Sequence, residues 1–157
     1  MAETRRFRGS VIVPGVLTVR GGTSNTGAIT ATGAITSSSA SAGIGYATGA
    51  GSTVTQITNR ATGVTINAIC GTITTDNTSL AAEASAVFTV TNSAVAIGDV
   101  VVLAIRSGMV ALNTRATVTA VAAGSFDITI VNGNVAAGTA ETGAIVINFA
   151  VIKAVTA

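Results

Sequence analysis

Residues 118–132 read VTAVAAGSFDITIVN and contain two runs of alternating apolar and polar side chains on either side of a glycine. Phe126, Ile128 and Ile130 fall on one face of the second run, and the residues between them fall on the other. Gly124 supplies a turn signal between the two runs. The pattern predicts a β-hairpin with one buried face.

The same alternation continues on both sides of this hairpin, from about residue 52 to the end of the chain. Ser79–Ala86 is the only helix candidate, and it is short and lacks a capping box, so we predict a loop there. The last strand is apolar on nearly both faces, which predicts a central strand or a strand at a subunit interface. We predict seven strands: 53–59, 64–75, 86–92, 99–106, 113–122, 125–132 and 143–153. The fold expected from them is all-β, an antiparallel β-sandwich of the jelly-roll or Ig-like type.

A low-complexity stretch precedes the strands, with the sequence TGAITATGAITSSSASAGIGYATGAG at residues 26–51. It has no charged residue and repeats GAIT at a step of six. Side chains this small cannot hold a lone chain in one conformation. We predict an extended, intertwined shaft in which three chains place their isoleucines on a shared axis, namely Ile29, Ile35 and Ile44. The alternative is a flexible Gly/Ser linker.

Three arginines lie close to the N-terminus, at Arg5, Arg6 and Arg8. We predict an anchoring arm whose guanidinium groups pair with carboxylates of another protein; the alternative is a frayed terminus. The expected organisation is an arm at 1–20, a Gly/Ala/Ser/Thr-rich shaft or neck at 21–51, and a β-sandwich knob at 52–157.

The composition of the chain restricts the classes of partner. Charged residues make up 9% of the 157 positions, against about 25% in ordinary soluble domains, so we expect other protein to cover much of the surface. Aromatic residues are only 3%, so the core must be aliphatic. The net charge of +2 does not argue for nucleic acid. The apolar runs are too short for a spanning helix, and we predict no membrane partner.

The chain has few of the residues that usually act in catalysis or metal binding. The chain has no histidine and one cysteine, Cys70, which we expect to be a small buried hydrophobic residue. Asp127 and Glu141 are a conceivable acid pair for glycoside hydrolysis, but the carboxylates are scattered along the chain. Asp76–Ser79 supplies oxygens for calcium, although a turn explains it better. We therefore predict a protein that is not an enzyme and has no cofactor or metal.

Four blocks of the sequence are similar to a known class of proteins. GIGYATGAGSTVTQITNRATGVTINAICGTITT at 43–75 resembles a module that recurs in structural proteins of tailed bacteriophages and prophages. Three further blocks resemble phage fibre or capsid-decoration sequences: 85–103, 118–132 and 144–155. The resemblance implies a virion protein, made in the host cytoplasm, that is usually a homotrimer with a β-rich knob. No catalytic residue is implied.

These observations lead to three functional hypotheses. The first is a capsid decoration (cement) or head-fibre protein on the capsid surface, which trimerises and binds the major capsid protein through its arm. The second is a tail fibre or receptor-binding tip that adheres to host surface glycans, although the body lacks the aromatic residues that usually stack on sugars. The third is a polysaccharide-degrading enzyme, for which catalytic groups are missing.

Overall fold

A computed structural model of the protein describes residue 27 and residues 29–41 and 43–154. The chain divides into two compact units, Met1–Ile44 and Gly45–Ala157. Within the first unit, the described residues belong to no strand and no helix. The second unit is a β-sandwich.

The sandwich is built from eight strands, and its described residues include no helix. The strands are β1 (Gly51–Thr55), β2 (Val64–Thr65), β3 (Cys70–Thr74), β4 (Ser85–Thr91), β5 (Val100–Ser107), β6 (Thr114–Ala122), β7 (Ser125–Asn132) and β8 (Val146–Ile152).

The strands form two sheets of four, which we call sheet A and sheet B. Sheet A has the order β1-β3-β8-β5, and sheet B has the order β2-β4-β7-β6. The predicted β-sandwich is confirmed. β1 pairs with β3 in parallel, as β2 does with β4, and the other four pairs are antiparallel. The sheets are therefore mixed, whereas the sequence predicts antiparallel pairing throughout.

The mixed pairing follows from how the chain crosses between the sheets. The first four strands alternate between sheet A and sheet B. The chain reverses direction at each crossing, so after two crossings it returns to the same sheet in its original direction. The predicted strand 64–75 is therefore two strands, because residues 66–69 carry the chain from sheet B to sheet A. In this crossing Ile66 donates its amide to the carbonyl of Thr91 at 3.0 Å, and Ala68 donates to Ile66 at 3.1 Å.

The core between the sheets is aliphatic, with three phenylalanines among its members. Phe126 of sheet B and Phe149 of sheet A bring their ring centroids to 5.6 Å. Each fully buried valine, isoleucine or phenylalanine side chain stabilises the fold by about 1.5–3 kcal/mol relative to the same side chain exposed to water. The most completely buried members are Ile73, Phe88, Val90, Phe126, Ile128, Ile130, Ile145, Ile147 and Val151.

Two predictions about single elements are confirmed. The hairpin joins β6 to β7, and Gly124 has a φ of 80° in its turn. The last strand, β8, lies between β3 and β5 at the centre of sheet A. The predicted loop at Ser79–Ala86 extends to residue 84, after which β4 begins.

The residues before β1 are tied to the central strand. The hydroxyl of Tyr46 donates a hydrogen bond to the backbone carbonyl of Val151, whose own amide donates to Ile69 at 2.7 Å. The chain thus begins β1 at the end of the sandwich where β8 finishes. The opposite end, which we call the loop end, carries four connections: 56–63, 75–84, 108–113 and 133–145.

Candidate functional site

The loop end is organised around two charged residues that lie inside the protein. Glu141 is completely buried, and Arg60 is only 3% exposed. Leu80 and Glu141 also exchange two backbone hydrogen bonds of 2.9 Å across their loops. A charged group removed from water must find partners for all its polar atoms, or it destabilises the fold by several kcal/mol.

The carboxylate of Glu141 is held by four hydrogen-bond donors from the surrounding loops. It accepts from the amides of Val110 at 3.0 Å, Ala111 at 3.0 Å and Gly143 at 2.8 Å, and from the hydroxyl of Thr114 at 2.7 Å. Burial raises the pKa of Glu141, but these four hydrogen bonds favour the charged form and bring its pKa below the ordinary value.

The guanidinium group of Arg60 lies beside this carboxylate without bonding to it. Burial lowers the pKa of Arg60, and the negative charges of Glu141 and Asp76 act in the opposite direction. All its hydrogen bonds go to uncharged oxygens of two loops: the carbonyl of Thr78 at 2.5 Å and the hydroxyl of Thr75 at 3.2 Å in one, and the carbonyls of Glu141 at 3.2 Å and Gly143 at 2.7 Å in the other.

Arg60 and Glu141 therefore act as a structural centre that fixes the loops. Their polar atoms are occupied by the protein itself, which leaves neither group available to a substrate. The backbones of two loops also meet closely here, because a Cβ at Gly108 would overlap the carbonyl oxygen of Ala144. The φ of Gly108 is 88°, a conformation that favours glycine.

The loops of the loop end expose several large aliphatic side chains. Leu112 is 89% exposed, Ile57 is 86% exposed and Val135 is 76% exposed. Met109 and Val110 are also exposed, on the same loop as Leu112. A hydrogen bond of 2.9 Å between the side chains of Asn113 and Asn134 connects two of these loops. Aliphatic side chains on fixed loops are suited to contact with another protein, whereas sugar binding favours aromatic rings.

The other acidic residues also have local partners. Asp76 accepts hydrogen bonds from the amide (2.7 Å) and the hydroxyl of Thr78, in the local pattern of an Asx-turn. At the other end of the sandwich, Asp99 forms an ion pair of 2.5 Å with Lys153. The described residues include no group of three or more His, Cys, Asp or Glu that could hold a metal.

Asp127 and Glu141 do not form the conceivable acid pair. Asp127 accepts a hydrogen bond of 2.7 Å from Thr89 on the outer face of sheet B. Glu141 is inside the loop end, close to Asn132, which donates to the carbonyl of Leu80. The five residue steps of extended strand from Asp127 to Asn132 correspond to about 17 Å.

The outer face of sheet A is a second notable surface, which we call the A face. Strand alternation and register place one charged residue on this face, Arg106, at the bulge near the end of β5. Its other members are uncharged: Gly51, Thr53, Thr55, Cys70, Thr72, Thr74, Val100, Val102, Ala104, Ser107, Val146, Asn148, Ala150 and Ile152. Val100, Val102 and Ile152 are each about half exposed. Cys70 is half-buried, which is less than the sequence predicts. The corresponding face of sheet B includes Asp127 and Arg115.

The sequence predicts two sets of site residues, the arginines of the arm and the isoleucines of the trimer axis, and the structure describes only the second set. Arg5, Arg6 and Arg8 lie outside the described residues. The three isoleucines of the predicted trimer axis are exposed in the single chain: Ile29 by 73%, Ile35 by 59% and Ile44 by 77%. Their meeting on an axis stays a prediction.

Sequence reasoning missed the pairing of Arg60 with the loops around Glu141. Their separation along the chain is 81 residues, and no local pattern connects them. The sequence offers only an indirect signal for this pairing, which is the small number of charged residues. A chain with eight basic and six acidic residues has few charged side chains that could lie inside the protein.

Comparison with known protein families, curated proteins and solved structures finds no significant match. In the part of the chain that the structure describes, no helix is long and apolar enough to cross a membrane.

Proposed function

We propose that this protein is a non-enzymatic structural protein of a phage virion, a capsid decoration or head-fibre protein. It trimerises and binds the major capsid protein through its N-terminal arm. The sequence resemblance supports the class of particle. The observation that carries the proposal is the A face, a sheet surface that exposes aliphatic side chains and has a single charged residue, Arg106, at one edge.

An exposed sheet of this composition is suited to contact with protein. Burying the remaining halves of Val100, Val102 and Ile152 contributes about 1 kcal/mol for each side chain. Association costs about 4–15 kcal/mol in lost freedom of motion, so the A face alone does not hold a stable oligomer. Other surfaces of the chain must contribute, and the exposed isoleucines before residue 45 provide further apolar area.

The absence of catalysis is part of this proposal. Glu141 is enclosed by its donors, and Asp76 accepts hydrogen bonds from Thr78. Asp99 and Asp127 are likewise engaged by Lys153 and Thr89. Two facing carboxylates, which glycoside hydrolysis requires, do not occur among these four.

The arm is tested by removing its charges. Replacing Arg5, Arg6 and Arg8 together by alanine should leave a folded trimer that no longer sediments with capsids lacking the native protein. Arg115→Ala is the matched control, because Arg115 is an exposed arginine on β6 of sheet B, away from the A face, and it should still bind. Unchanged binding by the triple variant, or loss of its trimer, contradicts the proposed arm.

The position on the particle is tested separately. Quantitative mass spectrometry of purified virions, with antibody labelling in the electron microscope, should find copies in the hundreds on the shell. A few copies at the tail would instead support the second candidate, a receptor-binding tip. The exposed Leu112, Ile57 and Val135 of the loop end would suit a protein receptor rather than the glycan expected from the sequence, and direct binding of the purified protein to host cells would test this candidate.

A further inference from the structure

The edge strands of the two sheets differ in how they are protected. An edge strand offers unpaired amide and carbonyl groups to any other strand, and proteins usually block it with charge, irregular pairing or short length. β5 has an irregular register beside Arg106. β6 has an irregular register after Val118 and carries Arg115. β2 has only two residues.

β1 is the edge strand that has none of these devices. Its five residues, GSTVT, include no charge and no proline, and they pair with β3 in a continuous register from Gly51 to Thr55. No other described strand pairs with β1. The strand is exposed except at Val54, whose side chain is half-buried.

The direction of the backbone groups in β1 follows from two contacts. The amide of Gln56 donates to the carbonyl of Thr74 at 2.9 Å, and the carbonyl of Ser52 is so close to β3 that it would overlap a Cβ at Gly71. Backbone groups alternate in direction along a strand, so the even-numbered residues face β3. The amides and carbonyls of Thr53 and Thr55 therefore face the open side.

The same chain contains a segment with matching properties. Residues 29–36, ITATGAIT, have no charge and belong to no strand in the structure. Their β-branched side chains favour extended pairing. Ile29 and Ile35 are exposed, and their even spacing puts them on one face of an extended chain.

We propose that residues 29–36 of a second copy of this chain add to the open edge of β1 as a fifth strand of sheet A. The added backbone hydrogen bonds supply the second set of contacts that the A face needs. The inference rests on the proposed self-association and names the surface through which it occurs.

The acceptor edge is tested by removing one outward amide. Thr53→Pro deletes a donor that takes no part in pairing with β3, and edge strands tolerate proline at such positions. Light scattering should show the oligomer replaced by the 15.2 kDa chain, with the β-sheet circular dichroism retained. Thr53→Val keeps the amide and should keep the oligomer. Thr53→Lys puts a charge beside the edge and should give the same loss as proline.

The second copy is identified by complementation. The full-length Thr53→Pro variant keeps an unchanged segment 29–36 but has an altered β1 edge. The Ile35→Asp variant has an altered segment 29–36 and an unchanged β1 edge. Each variant alone should be monomeric, and their mixture should form a species of twice the monomer mass. Absence of that species shows that the segment does not pair between copies, which overturns the inference.

Failure of the inference is distinguishable from failure of the proposed function. A wild-type chain that is monomeric at all concentrations overturns both. An oligomeric wild type with a folded and still oligomeric Thr53→Pro overturns only the strand addition, and leaves association to the A face together with other apolar surfaces of the chain.

Discussion

Glu141 shows how one side chain can determine the arrangement of several loops. Its carboxylate accepts hydrogen bonds from Gly143, Val110, Ala111 and Thr114. Glu141→Gln keeps the size of the side chain but places an NH₂ group among donors. We expect it to lower the free energy of unfolding by about 2–4 kcal/mol. Equilibrium unfolding in urea measures this loss.

The matched control for this prediction is Glu83→Gln. Glu83 is exposed, so the same chemical change there should alter the free energy of unfolding by less than about 0.5 kcal/mol. Equal effects of the two substitutions would show that the hydrogen bonds of Glu141 do not stabilise the loop end.

The same carboxylate predicts how stability depends on pH. The pKa of Glu141 in the folded protein is below its ordinary value of 4.5. A depressed folded-state pKa contributes stability above the unfolded-state pKa and loses it as the pH falls through the folded-state value. The pKa values of Asp76, bonded by Thr78, and of Asp99, bonded by Lys153, are also lowered.

The urea midpoint should therefore be nearly constant above about pH 6 and should decline below about pH 4.5. The decline should be shallower in Glu141→Gln, because one of the three titrating carboxyl groups is missing. An identical decline in both proteins would contradict the assignment to Glu141.

At the level of the turns, two glycines with similar backbone angles provide a matched pair. Gly108 has a φ of 88° and Gly124 has a φ of 80°. A Cβ at Gly124 has no atom within 4 Å, whereas one at Gly108 would overlap the backbone of Ala144. Gly124→Ala should cost about 1–2 kcal/mol for the left-handed conformation alone, and Gly108→Ala should cost roughly twice as much or more.

Thermal and urea unfolding of both alanine variants measure the difference. Similar losses would mean that loops 108–113 and 133–145 can separate without cost, and that the loop end is less fixed than the contacts of Gly108 indicate.

The strands themselves were largely predictable because their signal is local. Phe126, Ile128 and Ile130 alternate with polar residues, and each is buried against the other sheet. The division of 64–75 into two strands was not predictable in this way, because β-branched residues continue through the crossing. The parallel pairs were missed for a related reason, since alternation does not reveal which sheet a strand joins.

The candidate site was less predictable than the fold. The contacts of Arg60 with Glu141 and Gly143 join residues more than 80 positions apart, and such a contact exists only once the loops are placed. The A face is a similar case, because its low content of charge depends on which strands are neighbours. The low charge of the chain nevertheless predicted that some surface would be suited to protein contact.

At the scale of the whole molecule, the two outer sheet faces make different predictions. Val102 on the A face and Val87 on the face of sheet B are 48% and 49% exposed. Val102→Asp should bury an unpaired charge in the proposed interface and raise the dissociation constant of the oligomer at least about tenfold. Val87→Asp should leave it unchanged.

Analytical ultracentrifugation over a range of protein concentrations distinguishes the two variants. Equal weakening by both, or by Val87→Asp alone, would place the interface elsewhere. Because the two valines are equally exposed on strands, any general effect of an added aspartate on folding should be similar in both.

The bond between Tyr46 and Val151 has a spectroscopic consequence. The chain contains one tyrosine and no tryptophan, so Tyr46 is the main source of its intrinsic fluorescence. That ring lies just ahead of β1, and its hydroxyl is held by the central strand of sheet A. A change in tyrosine emission therefore reports the release of this junction, without any added label.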